Sequence, residues 1–302
     1  MTLRAFLLAL LFCLPAMAQD AYPSRPVQLI SPFAPGSSTD LMARALQAEM
    51  SQALGQMAVG MNGAGAAGAI GNAELFRARP EGLTIGISVN NATTSQPLLQ
   101  PTPYQADGFR CICMFHDNPQ VVITGRGAPV TDIADLVVHA RRGREPLVYG
   151  AYGAGSTRHI LMAQRLRAAG VEGLMVSCTG LMATVAPGGQ IMAFVEAATI
   201  STSTGLAVLD PNRMAILPEV PSIAKAGHPT RGSTHGGLLA PAGLAATWER
   251  ACETAVASKG FRAAAERPNA APAFLPDVAC RAGFLAEAAV NRALLREFGL
   301  SN

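Results

Sequence analysis

The sequence predicts an α/β fold, and three observations carry that prediction. Short apolar runs rich in β-branched residues alternate with longer segments of helical periodicity. Turns rich in glycine and hydroxyl side chains separate them. One strand–turn–helix unit, residues 27–54, has a near copy at residues 147–170, so the chain is read as two related halves.

In the first unit, Val27, Leu29 and Ile30 form an apolar run closed by Pro32 and Pro35, which predicts a buried strand ending near Phe33. Gly36 then supplies backbone freedom, Ser37 is a good N-cap, and Asp40 three residues later can close a capping box and complement the positive end of the helix dipole. Leu41, Ala45, Leu46, Met50 and Leu54 recur at helical spacing and are expected on its buried face. Unpaired N–H groups at that helix start, beside the hydroxyls of Ser37, Ser38 and Thr39, would suit a carboxylate or phosphate. A capped helix that binds nothing accounts for the same residues.

A second strand is expected at 57–61, then a literal G-x-G-x-x-G from Gly63 to Gly68 and a helix over 69–79. A dinucleotide site would need an acidic residue about 20 positions on, at the end of the next strand. That strand, 83–89, ends in Asn90 and Asn91, so a tight turn at a cleft is favoured over a cofactor turn. The polar segment Asn90, Asn91, Ala92, Thr93, Thr94, Ser95 reads as a loop at the carboxyl end of a buried strand, the usual ligand side of an open α/β sheet. Residues 97–107 read as irregular and 121–124 as the next strand. Thr131 and Asp132 cap a helix running to Arg142, whose arginines suit its negative end.

The second unit repeats the first. A strand at 147–149 enters the turn Gly153, Ala154, Gly155, Ser156, Thr157, followed by a helix carrying Ile160, Leu161 and Leu166. Ser156 and His159 invite a serine-hydrolase reading, but there is no G-x-S-x-G elbow and no acid placed to orient the imidazole, so a locally bonded histidine is favoured. Arg158 sits where a cation opposes the helix dipole; it either faces a ligand carboxylate or points to solvent. Further on, a buried strand over 188–195 ends at Glu196, a Ser/Thr-rich loop follows, and amphipathic helices over 248–265 and 277–298 close the chain.

Composition narrows the function. Arg4, an apolar core over 5–14 and the small residues Ala16 and Ala18 predict a signal peptide over residues 1–18 and export to the periplasm. The apolar stretch is shorter than the roughly 20 residues that span a bilayer. Removing the leader takes Arg4 from the formal charge of +3 and leaves +2, too little to suggest nucleic acid. Of six cysteines, Cys13 leaves with the leader. Cys111 and Cys113 are too close to pair with each other, and no Cys/His set has zinc spacing, so no metal is expected. Cys252 and Cys280 flank consecutive elements and are the expected bridge.

Taken together, Tyr22 to Pro26, PFAPGSSTD at 32–40, Gly55-Gln56, 62–71, 149–159, Gly188-Gly189-Gln190, LPEVP at 217–221 and GLLAPAG at 237–243 resemble the extracytoplasmic solute receptors of the tripartite tricarboxylate transporter family, the Bug receptors. The resemblance spans nearly all of the mature chain. Ser37 stands where the family has glycine, Gly63 where it has the arginine of NRPG, and Cys178-Thr179-Gly180 where an aromatic-Lys-Gly step is frequent.

The resemblance implies a two-lobed periplasmic-binding-protein fold of type II, each lobe a doubly wound sheet with flanking helices and a cleft between. Lobe one would be 22–122 with 236–302, and lobe two 123–235. It implies a monomer that is not an enzyme, needs no cofactor, captures a small carboxylate (a di- or tricarboxylate, an acidic amino acid or an aromatic acid) and presents it to membrane permease subunits. Phe33, Ala34, Pro35, Ser37, Ser38 and Thr39 would form the first-lobe clamp and Gly155, Ser156, Thr157, Arg158 and His159 the second. Asn90, Asn91 and Thr93 would line the cleft, as would Glu196 after its strand. The alternatives are a secreted serine hydrolase and a solute-sensing subunit without a transport role.

Overall fold

The computed structural model describes residues 22–300 apart from 126–127, 152–153, 178–191, 197–202, 215–216, 227–231, 242–245 and 267–270. The expected leader, Cys178 and the step at 188–190 lie outside the described residues.

The first lobe is built on β1 (Val27–Ser31), flanked in parallel by β2 (Ala58–Asn62) and β3 (Thr84–Val89). β3 pairs antiparallel with β9 (Ser233–Pro241), and β9 with the first part of the long strand β4 (Phe109–Gly125), whose other edge takes β10 (Pro272–Pro276). Helices α1 (Ser38–Leu54), α6 (Ala246–Ala257) and α7 (Lys259–Glu266) cover one face, where Leu46, Met50, Trp248 and Phe261 share a core. Helices α2 (Ala69–Arg77) and α8 (Asp277–Glu297) cover the other, over Leu75, Tyr104 and Phe284.

The second lobe uses the remainder of β4. From Gln120 to Gly125 this strand lies between β7 (Met192–Glu196) and β8 (Ser203–Val208), and β7 continues into β5 (Leu147–Ala151) and β6 (Gly173–Ser177). Helices α4 (Ile133–Arg142) and α5 (Thr157–Ala168) bring Leu136, Leu161 and Leu166 to a separate core with Val122, Tyr149 and Leu206. Pro119 is the last β4 residue paired with β9, and Gln120 the first paired with β7. Two buried side chains tie this crossing to its neighbours: Asn118 Oδ1 accepts the Ala271 N–H at 2.6 Å, and Gln120 Nε2 donates to Thr234 Oγ1 at 3.1 Å.

Four expectations are corrected. The Cys252–Cys280 bridge is not formed; Cys111 pairs with Cys280 and Cys113 with Cys252. Two cysteines at i and i+2 of a regular strand share a face, but the register with β9 slips at Ile112, a bulge. Cys113 therefore faces the core under α6, while Cys111 faces the core under α8. Cys252 and Cys280 lie on opposite sides of the sheet, which is why they cannot meet.

The buried stripe of α1 is Met42, Ala43, Leu46 and Met50, whereas Leu41 is 38% exposed. Asp40 is itself turned inward at 2% exposure, and this rotates the apolar face by about one residue. The segment after β3 is helical rather than a loop: a π turn, Asn91–Ser95, leads into α3 (Gln96–Leu99), which runs into the stretch expected to be irregular. The single helix expected over 248–265 is two, α6 and α7, with Ser258 Oγ accepting the Phe261 N–H at 3.0 Å to start the second.

Candidate functional site

Helices α1 and α5 begin with the same construction. Gly36 (φ 81°) and Gly155 (φ 71°) hold left-handed backbone that a side chain would strain. The following serine is in each case an N-cap with extended backbone: Ser37 Oγ accepts the Asp40 N–H at 3.2 Å, and Ser156 Oγ accepts the His159 N–H at 3.3 Å. The side chain of that fourth residue reaches back to the glycine. Asp40 Oδ2 accepts the Gly36 N–H and His159 Nδ1 accepts the Gly155 N–H, both at 2.8 Å. One turn is Gly-Ser-x-x-Asp and the other Gly-Ser-x-x-His. The locally bonded His159 favoured from the sequence is what the structure holds; its particular partner, the Gly155 N–H, is legible only from the repeated spacing of the two turns.

These bonds use the N–H groups of the glycine and of the fourth residue. Among the described residues, the first-turn amides left over at α1 are those of Ser38 and Thr39, and the equivalent turn of α5 offers that of Thr157. Each turn thus presents a dipole-assisted donor surface suited to an anion.

The supports behind the two turns differ. The Asp40 side chain is 3% exposed and accepts from Arg44 Nε at 2.9 Å and Asn62 Nδ2 at 2.7 Å, while Asn62 Nδ2 also donates to Phe33 O at 2.9 Å. Burial by itself would raise the Asp40 carboxyl; the hydrogen bonds from Arg44, Asn62 and Gly36 outweigh it and hold the group below its ordinary value. The His159 ring instead lies between Tyr149 and Phe298, 6.2 Å from each and inclined by 29° and 27°. Burial pushes its pKa down. With Nδ1 accepting, the neutral ring carries its proton on Nε2. Burial also pushes the Tyr149 hydroxyl up to about 12.

Other expected site residues are distributed more widely. Ala34 and Pro35 are exposed, and Phe33, Thr39, Ser156 and Thr157 half-buried. Phe33 meets the glycine turn and the helical turn after β3: a Cβ on Gly68 would lie 2.7 Å from Ala92 and 3.3 Å from Phe33. Thr93 is buried against Ser88 Oγ at 2.8 Å, whereas Asn90 and Thr157 line one cavity. Arg158 is 8% exposed, which overturns the solvent-facing alternative. Glu196 closes β7 opposite Gln120. A Cβ on Gly155 would collide with Leu99, so the second-lobe turn rests directly on the first lobe.

Two α/β lobes joined by antiparallel crossing strands, each offering a capped helix start, define the class as a type II periplasmic binding protein. Residues 42–275 match the family described as "Tripartite tricarboxylate transporter family receptor", and the chain belongs to that family. BugT of Bordetella pertussis is 30% identical over 225 residues, 70% of this chain and 69% of BugT. The first curated relatives are matched over about two-thirds of their own length, 66% and 69%. A TctC solute binding protein from Polaromonas superposes with a TM-score of 0.80 at 26% identity, over 91% of this chain and 99% of that one. Rpa4515 of R. palustris, solved with adipate, gives 0.75 at 25% identity over 93% and 99%.

Proposed function

We propose that the protein is a periplasmic receptor that holds a small carboxylate between the starts of α1 and α5 and delivers it to a membrane permease. The observation that carries this reading is the paired Gly-Ser-x-x-acceptor caps, one on each lobe. Among solved relatives, the one with adipate supports a dicarboxylate as the first class to try. Closure works by differential affinity: a ligand touching both turns binds the closed arrangement more tightly than the open one.

The lobes divide, on this reading, where β4 changes sheets at Pro119 and Gln120 and where β9 begins, close to 122/123 and 235/236. Residues 1–18 act as a cleaved leader, and among the described residues no helix is long and apolar enough to cross a membrane. The receptor acts as a monomer and performs no catalysis: His159 Nδ1 and Ser156 Oγ both serve the cap. A fluorophosphonate probe should therefore leave Ser156 unlabelled.

The test is a thermal-shift and calorimetric panel of di- and tricarboxylates, acidic amino acids and aromatic acids. A true ligand at 100 times its dissociation constant adds about 2.7 kcal/mol of stability. Thr39→Ala should then weaken binding by about 1.5–3 kcal/mol through a lost hydrogen bond to a charged group. A panel without a single saturable carboxylate, or unchanged affinity in Thr39→Ala, would remove the reading or its first-lobe clamp respectively.

A further inference from the structure

A cavity of about 500 Å³ lies between α5 of the second lobe and α8 of the first, bounded also by β4 and β9. Thr157 joins it to the anion-binding turn. Its backbone N–H is the first-turn amide that α5 leaves over, and the same residue lines the cavity. From Thr157 the wall continues through Ile160, Leu161 and Gln164, which share one face of α5. No residue of the 33–39 turn reaches it.

The polar lining groups are engaged with the protein. Asp117 and His235 stand opposite each other in the β4–β9 register. Glu287 Oε1 accepts from Asn90 Nδ2 at 3.0 Å and Thr94 Oγ1 at 3.1 Å, and its Oε2 lies 3.4 Å from His235 Nε2. The large apolar side chains of the lining are Met114, Ile160, Leu161, Leu275 and Val290. Leu275 is 38% exposed and Val290 51%, so both gain when an apolar group covers them. Gly283 points the same way. It lies inside α8, where glycine weakens a helix, and no neighbour stands within 4 Å of its Cβ position. Neither backbone conformation nor packing calls for glycine there, whereas a side chain would enter the cavity it lines.

We propose that this cavity receives the body of the solute, and that the body is a hydrocarbon chain of several carbons. The inference rests on the carboxylate reading and narrows it. The carboxylate sits on the Thr157 amide, and the carbons beyond it run along Ile160 and Leu161 to Val290. A compact solute with a polar group on every carbon would set those groups against Ile160 and Leu161 without partners. The turns therefore hold the head, while α5 and α8 select the body.

The probes are butyrate, hexanoate and octanoate, with gluconate as the hydroxylated counterpart of hexanoate, titrated calorimetrically into the full mature protein at constant ionic strength. Affinity should rise by at least about tenfold from butyrate to octanoate, and hexanoate should bind more tightly than gluconate. Gly283→Leu, which fills the cavity, should flatten that rise. Gly283→Ala strengthens the helix without filling the cavity and should keep most of it, and both variants should melt no lower than the parent. The inference is overturned, with the carboxylate reading left standing, if other carboxylates bind saturably but the rise is absent. Gluconate binding as tightly as hexanoate, or a rise that survives Gly283→Leu, overturns it equally. If no carboxylate binds at all, the underlying reading falls and takes this inference with it.

Discussion

The turn that starts α1 is closed by a carboxylate and braced from within its own lobe, by Arg44 and Asn62; the turn that starts α5 is closed by a neutral imidazole and braced in part by the other lobe, through Leu99 and Phe298. The backbone geometry is nearly the same in both. What differs is where each turn draws its support. The first-lobe turn is complete whatever the second lobe does, because every group bonded to Asp40 precedes β3. The second-lobe turn has part of its packing in residues that follow β9, so a movement of one lobe against the other reaches His159 directly. A receptor that closes on its solute can use such a pair, with one fixed jaw and one jaw whose form reports the position of its neighbour.

The largest expected effect tests how firmly the fixed jaw is mounted. Both disulfides anchor helices of the first lobe to β4, and among the described residues the second lobe has none. The Cys113→Ser/Cys252→Ser double variant releases α6 and should cost about 2–4 kcal/mol, measured by denaturant unfolding without reductant. A midpoint equal to the parent's would show that the bridge does not constrain the first lobe.

A middle-sized effect separates the caps themselves. Asp40→Ala removes one buried group with three hydrogen-bonded partners and should cost about 2 kcal/mol, whereas His159→Ala removes one capping bond and should cost about 1 kcal/mol. Equal losses would deny the asymmetry. In the same series His159→Asp should retain the Gly155 contact and behave closer to the parent than alanine does.

Much of this was legible in the sequence, for identifiable reasons. The strand–turn–helix units could be read because Gly36, Ser37 and Asp40 act locally, within five residues of one another. Local bonding of His159 could be favoured because no acid is placed to orient the ring for chemistry, but only the matched spacing of the two turns shows it as the counterpart of Asp40. The cysteine pairing could not be read, since a bulge at Ile112 decides which core each thiol faces and no local residue type announces it. Asn90 could be placed at the end of β3, but its partner Glu287 lies 197 residues away, a relation that single-chain patterning does not encode.

The smallest expected effect is local and depends on pH. Burial lowers the His159 pKa below its ordinary value of about 6.5, so the unfolded chain binds the proton more readily than the folded one. Stability from the neutral ring is therefore fully present above about pH 6.5 and is lost as pH falls below it. Protonation also turns Nδ1 from an acceptor into a donor facing the Gly155 N–H, which opens that turn specifically. Asp40 is depressed as well, but from a carboxylate's starting value near 3.9, so the first-lobe cap stays closed until pH falls below that. His116, buried in the first lobe and held down to about 3, adds a global acid penalty in the overlapping range, so total stability cannot separate the two turns. Amide hydrogen exchange can. Between about pH 6.5 and 4, after correction for intrinsic rates, Gly155 should lose protection while Gly36 keeps it. In His159→Asp, Gly155 should follow Gly36 instead. Parallel loss at both glycines in the parent would mean that the two caps respond as one unit, and the fixed-jaw and reporting-jaw distinction would fall.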